Sequence, residues 1–190
     1  MSASSVLLGF VFMVLLGPTI QAQNVYRSDQ VDSPPLFESH MPVASAHELD
    51  SIGNRQLLER IYAKIRVPHI LHSQKTRVRV AASILFKQDS LVSIERIILV
   101  DPNAPNYKEP DEINLVVVIA YGSSHPDRAL MERVRVNTAF RLAREQIINR
   151  EALRKVEEVL KALPKFSPAL KDGEPATVSR TLVFEMRSEV

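Results

Sequence analysis

The sequence predicts one α+β domain, a small antiparallel sheet with helices packed on one of its faces. One run in the middle of the chain and one near its end alternate apolar and polar residues, which is the period of half-buried strands, and a β-rich run follows the first of them. Other segments carry apolar residues at helical spacing. The predicted order is helix, hairpin, strand, two helices and a final strand, an arrangement typical of the α+β class.

Composition narrows the classes of function that the chain can have. With 190 residues, 45% of them hydrophobic and 24% charged, the chain has the size and make-up of one globular domain. Its 24 basic and 22 acidic side chains leave a formal charge of +2, which excludes a strong global attraction to nucleic acid or anionic membrane. The absence of cysteine excludes disulfides, thiolate metal sites and thiol nucleophiles.

The N-terminus has the pattern of an export signal. An apolar run over residues 6–17 is followed by the helix breaker Pro18 and by a small-residue site that ends at Ala22. We expect residues 1–22 to be a cleaved secretory signal peptide, with a retained membrane anchor as the alternative. Either outcome places the rest of the chain outside the cytoplasm, in the periplasm or as a secreted protein.

The next segment lacks sustained periodicity. Residues 23–53 include Pro34, Pro35 and Pro42, so we interpret them as a linker or an N-terminal arm. The domain itself is predicted over residues 54–190. Its first element is a short helix that begins at Asn54 and ends before Pro68.

Four strand patterns and two helix patterns follow. "TRVRVAASILFK" and "LVSIERIILV" predict an antiparallel hairpin, and "INLVVVIAYG" predicts a strand buried on both faces. "SSHPDRALMERVRVNTAFRLAREQI" predicts one helix, and a separate helix is predicted from Asn149 to Pro164. Residues 177–186 predict a last strand, which we expect to be a free edge because no predicted element follows it.

Two stretches resemble a known family. "LPKFSP" and "DGEP", which lie between the last helix and the last strand, and the helix-to-hairpin segment over residues 57–100 are similar to the C-terminal domain of TonB-type energy transducers, in the form found in Bacteroidetes-like bacteria. The chain departs from that pattern at Val67 and Thr76, where the family has Tyr and Gly. It also has an insertion at about residues 101–148, which supplies an added strand and helix, and it lacks the family's long Pro-rich linker.

The resemblance implies a periplasmic domain that grips a peptide of an outer-membrane receptor by strand addition, in TonB-dependent transport. The alternative is a soluble exported scaffold that keeps the fold without energy transduction. A homodimer through edge strands is a further expectation, and membrane contact is expected only if the N-terminal segment is retained. The implied partner-binding residues are those of the last strand and of the segment after the first helix: Thr177, Val178, Ser179, Arg180, Thr181, Leu182, Val183, Arg66, Val67 and Pro68.

No catalytic or metal site is predicted, and no cofactor is expected. Ser124, His125 and Asp127 lie together at a predicted helix start, where capping explains them better than a triad. "HILH" places His69 and His72 at helical spacing, but no third ligand lies in register. Six cations lie between residues 60 and 79 without an intervening acid: Arg60, Lys64, Arg66, Lys75, Arg77 and Arg79. They predict a positive patch that could bind an acidic peptide, a cell-wall polymer or lipid head groups. The alternative is a solvated face without a partner.

Overall fold

The protein is described by a computed structural model over residues 24–37, 45–71, 77–105, 107–108, 114–121 and 138–189. These residues form two helices and six strands. The helices are α1 (Ala46–Lys64) and α2 (Thr138–Lys161). The strands are β1 (Val25–Arg27), β2 (Arg77–Phe86), β3 (Val92–Val100), β4 (Leu115–Tyr121), β5 (Ala169–Lys171) and β6 (Glu174–Glu189).

The α+β class is confirmed, and the sheet is mixed rather than antiparallel. β6 pairs antiparallel with β2 and β5, but parallel with β1 and β4. The β4–β6 pair is parallel because α2 lies between the two strands in the chain, and a strand that returns after a helical crossover runs parallel to its partner. The predicted insertion at residues 101–148 therefore contributes a strand to the sheet itself.

The predicted hairpin is present as β2 and β3. Its register shifts between Ser83 and Ile84, whose partners are Arg96 and Ile94, so Glu95 has no partner on β2. Such a bulge locally disrupts the ladder and bends the strand.

One core lies between the sheet and the two helices. Alternate side chains of β2 point to this inner face, from Val78 to Phe86, and the opposite, outer face carries residues such as Arg77 and Arg79. Both helices contribute to the same core, so the prediction of helices on one face is confirmed. The helical members of the core are Leu57, Ile61, Ile148, Ala152, Val156, Val159 and Leu160.

Two predicted helix boundaries are wrong. α1 begins at Ala46, not at Asn54, because Ser45 and Glu48 form a capping box in which the Ser45 Oγ accepts the Glu48 N–H at 3.4 Å. Asn54 lies inside the helix and is buried. α2 continues through Asn149 without a break. The predicted cap at Ser124 lies outside the described residues.

The connection between α2 and β6 is anchored as its residue types suggest. Phe166 is 5% exposed and makes edge contacts with Phe86, at 5.0 Å between ring centroids, and with Phe37, at 6.0 Å. Asp172 and Gly173 both have positive φ, 53° and 80°, and form the two-residue turn between β5 and β6.

The N-terminal arm is part of the fold rather than a linker. β1 pairs with β6, and isolated bridges join Ser33 to Leu170 and Leu36 to Ser167. Leu36 is 8% exposed, so the arm buries apolar surface against the α2–β6 connection. The predicted boundary at residues 53 and 54 falls inside α1 and separates nothing in the structure.

Gly53→Ala is expected to destabilise the protein, although alanine normally favours a helix by about 1 kcal/mol over glycine. A Cβ at Gly53 would lie 2.9 Å from the Pro35 carbonyl oxygen and 3.4 Å from the Leu36 Cδ2. Backbone cannot yield easily, so overpacking should cost about 1–3 kcal/mol in urea unfolding. The matched control is Ser51→Ala at an exposed position of the same helix, which should change stability by no more than about 0.5 kcal/mol. A stabilised Gly53→Ala protein would show that the arm does not pack on α1 in this way.

Candidate functional site

The last strand does not present the free edge that was predicted for residues 177–183. On one side, β2 pairs with β6 from Val178 to Arg187. On the other side, β1 pairs with residues 177–179 and β4 pairs with residues 183–189. The prediction of an open edge is wrong because two distant segments of the chain return to cover it, which alternation within the strand cannot reveal.

Between β1 and β4, residues 180–182 have no strand partner on that side among the described parts of the chain. Arg180 lies at this gap, and its Nε donates to the Asn114 Oδ1 at 3.3 Å. Burial lowers the pKa of Arg180, and the charge of Asp50 opposes that shift. Arg180 is therefore held from within the protein beside this gap, which fits a structural role better than a docking role.

The other predicted binding residues lie beside β4 instead. Arg66 and Val67 line a groove of about 540 Å³ whose remaining walls are the end of α1 and the strand β4. Pro68 is buried next to them. No residue of β6 lines this groove, so the structure separates residues 66–68 from residues 177–183. The groove is lined by Tyr62, Ile65, Arg66, Val67, Val117, Val118, Ile119 and Ala120.

β4 forms an edge of the sheet within the described residues, since β6 is its only strand partner there. Four consecutive residues of β4 line the groove, which brings the backbone of this edge into contact with the open volume. The Val117 N–H donates to the Tyr62 Oη at 3.2 Å. Because successive residues of a strand direct their backbone groups to opposite sides, Ile119 also directs its N–H and C=O away from β6.

The side chains that line the groove are apolar apart from the Tyr62 hydroxyl and one charge, and the groove surface also includes polar atoms. β4 has the sequence LVVVIAY, without a charged residue. Among the described residues that line the groove, Arg66 alone is charged. Its guanidinium donates to the Ile65 carbonyl at 2.7 Å and to the Tyr62 carbonyl at 3.3 Å, which satisfies acceptors at the end of α1 and holds the charge at the groove. Such a surface can bind an extended chain.

β3 is also an edge of the sheet within the described residues, and it differs from β4 in its protection. Glu95 and Arg96 are exposed in the middle of β3, at the bulge. Charged side chains and bulges are the usual means by which edges avoid pairing with other chains. Ile98 and Leu99 are exposed nearby, at 37% and 41%, but the bulge interrupts the regular ladder that a partner would extend.

The predicted positive patch is smaller than the sequence indicates. Arg77 and Arg79 both bind the Glu185 carboxylate, at 2.5 Å and 2.8 Å, on the outer face of the sheet. The Lys64 Nζ donates to the Ala162 carbonyl at 2.5 Å. Lys75 lies outside the described residues. Arg66 is the member of the predicted patch that lines the groove.

The outer face carries a buried group of charges. Glu185 is 2% exposed and Arg79 is 5% exposed, and the Arg79 guanidinium also donates to the Tyr107 hydroxyl at 2.5 Å. Arg187 lies 3.8 Å from the same carboxylate. Three guanidinium groups thus surround one buried carboxylate, and Arg79 links this cluster to the segment around Tyr107.

Most residues of the catalytic and metal candidates lie outside the described part of the chain. Within the described ranges, no three His, Asp or Glu side chains are grouped so that they could hold a metal ion. Ser124, His125 and Asp127 lie outside those ranges, as does His72. No helix in the described part of the chain is long and apolar enough to cross a membrane, and residues 1–22 are not among the described residues.

Comparison with known proteins adds no family to these observations. No protein-family model, curated protein or solved structure matches the chain. The resemblance to TonB-type C-terminal domains therefore remains a prediction from sequence motifs.

The sequence interpretation missed Tyr62 and β4 as parts of a site. Tyr62 lies in the predicted first helix, yet it is 43% exposed and contacts the edge of β4. A usable signal was present in LVVVIAY, because a seven-residue strand without any charge requires cover or a partner if it lies at an edge.

Acid is expected to weaken the fold through Glu185. Burial alone would raise the pKa of Glu185, but the hydrogen bonds from Arg77 and Arg79 outweigh it and leave the pKa below its usual value. A carboxyl whose folded pKa is lowered contributes stability that is present above the unfolded pKa of about 4.3, and this contribution is lost as the pH falls through the folded value.

Glu185→Gln tests this assignment by removing the carboxylate while keeping its size. Breaking a buried ion pair should cost about 3–5 kcal/mol at neutral pH, measured by urea unfolding, and should flatten the pH dependence of stability below about pH 4.3. The control is Glu174→Gln at the exposed start of β6, where the change should stay within about 0.5 kcal/mol. An unchanged pH profile in Glu185→Gln would refute the assignment.

Proposed function

We propose that the chain is a peptide-binding domain of the bacterial cell envelope that adds an extended segment of a partner protein to the open edge of β4. The observation that carries the proposal is the apolar groove along that edge, bounded by Tyr62, Arg66 and Val67. Strand addition joins backbone groups of the partner to those of an edge strand, while pockets beside the edge select side chains. The proposal keeps the mode of binding implied by the family resemblance but moves it from β6 to β4.

The partner is expected to be acidic. Arg66 is exposed and is the charged group among the described lining residues, and it lies beside a strand that has no charge of its own. A negative side chain in the bound segment would meet this guanidinium, whereas a positive one would be repelled. The N-terminal segments of outer-membrane receptors are the partner class that the sequence resemblance suggests, and a periplasmic location follows from the predicted signal peptide.

Strand addition is expected to show a period of two along the bound peptide. The probe is a fluorescent seven-residue peptide of alternating valine and threonine with an aspartate at each end, and its affinity is measured by fluorescence anisotropy. Single N-methylation should weaken binding at every second residue by about 1 kcal/mol, or roughly fivefold, because only alternate N–H groups face β4. The other positions should tolerate the methyl group.

Two protein variants complement the peptide series. Ile119→Pro removes a donor that points away from β6, so the protein should fold while binding falls by about fivefold. Val118→Pro, whose N–H faces β6, should instead destabilise the fold. Uniform tolerance of N-methylation would exclude strand addition, and a lack of saturable binding would exclude the peptide-binding function.

Charge selection is expected to depend on Arg66. Arg66→Gln should lower affinity for the aspartate probe about two- to fivefold, an effect of the size found for exposed ion pairs. It should also reduce the difference in affinity between the aspartate-ended probe and a matched lysine-ended probe. Arg55→Gln is the matched control, since Arg55 is an exposed arginine of α1, pairs with Glu59 at 3.9 Å and does not line the groove. Equal binding of both probes to the unmodified protein would contradict an acidic partner.

A further inference from the structure

Tyr62 occupies a position on the β4 edge that a partner strand would need. The Val117 N–H is directed away from β6, and the Tyr62 Oη accepts it at 3.2 Å. In an added strand, a backbone carbonyl of the partner would accept this same N–H. The phenol oxygen thus stands where that carbonyl would be.

The Tyr62 side chain is held by α1 and is not locked in place. Tyr62 is 43% exposed, and its ring forms part of the groove wall. The neighbouring Ile61 and Ile65 are buried in the core, at 0% and 2% exposed, and fix the helix under it. An exposed aromatic side chain can change rotamer without disturbing such a core, since exposed rotamers exchange rapidly.

The edge strands β3 and β4 differ in how they are protected, and on β4 the protection comes from Tyr62. β3 has the bulge at Glu95 and the exposed charge of Arg96, whereas β4 has neither a charged residue nor a proline. Some N–H groups of β4 point away from β6. In the described part of the chain, the side-chain hydrogen bond that covers them is the one from the Val117 N–H to the Tyr62 Oη. Edges left without charge or cover tend to pair with other chains.

We propose that Tyr62 is a displaceable cover of the β4 edge, whose phenol oxygen holds the Val117 N–H until a backbone carbonyl of a partner peptide replaces it. This inference rests on the proposed peptide-binding function. It makes binding an exchange of one hydrogen bond for another, in which the peptide competes with an acceptor belonging to the protein itself. A ligand that offers only a side chain to the groove does not replace the phenol, so the cover favours extended backbone.

The proposal and a direct contact between Tyr62 and the ligand predict opposite changes in affinity when the hydroxyl is removed. If the hydroxyl bound the ligand directly, its removal would weaken binding. If the hydroxyl covers the edge, its removal leaves the Val117 N–H unpaired in the free protein and strengthens binding. Tyr62→Phe separates these cases because it removes the oxygen and keeps the ring.

The experiment measures two quantities on the full domain. The aspartate-ended probe is titrated against wild type, Tyr62→Phe and the control Tyr26→Phe, which changes a tyrosine of β1. Tyr62→Phe is expected to bind about three- to tenfold more tightly than wild type, the range that corresponds to one recovered hydrogen bond, and Tyr26→Phe is expected to bind like wild type. Amide hydrogen exchange of Val117 without peptide should be about tenfold faster in Tyr62→Phe and unchanged in Tyr26→Phe.

The outcomes distinguish this inference from the function on which it rests. If wild type binds the probe but Tyr62→Phe binds no more tightly, or if Val117 exchange is unchanged, the cover is refuted and peptide binding stands. If neither protein binds the probe, the peptide-binding function fails, and the exchange of phenol for peptide fails with it.

Discussion

β6 is the strand on which the rest of the sheet depends, because it is hydrogen-bonded along both of its sides. β2 covers one side over ten consecutive pairs, and β5, β1 and β4 follow one another along the other side. The N-terminal arm, the hairpin and the β4–α2 unit thus meet in one sheet only through this 16-residue strand. Since β6 is paired along most of both sides, the longest described strands with a partner on one side only are β3 and β4.

The elements that the sequence predicts well are those governed by local chemistry. The alternation in β2, the aromatic anchor at Phe166 and the Asp172-Gly173 turn each follow from the residues themselves, and each is present. The start of α1 could also be predicted from the sequence, because Ser45 and Glu48 have the spacing of a capping box. The predicted start at Asn54 relied instead on the apolar residues that follow Asn54 at helical spacing.

The elements that the sequence does not reveal are pairings between distant segments. Alternation tells which face a side chain occupies, but it does not tell which strand lies beside it. β1 reaches β6 across about 150 residues of chain, by the register of Val25 with Thr177, and no local pattern encodes that contact. For the same reason the site was only partly predicted: Arg66 and Val67 line the groove, while its other wall, β4, was expected to lie within the sheet with both faces buried.

The pairing register of β4 with β6 places the β4 edge beside the buried charges. Val117 pairs with Glu185, and Ile119 pairs with Arg187, so these β4 side chains stand next to the charge cluster of the outer face. A lysine at position 117 would compete with Arg77 and Arg79 for Glu185, and an acid there would be repelled by it. Charge, the protection used by β3, would therefore disturb the ion pairs that hold β6 and β2 together. Protection of β4 has to come from outside the strand, and Tyr62 of α1 is placed to supply it without adding a charge.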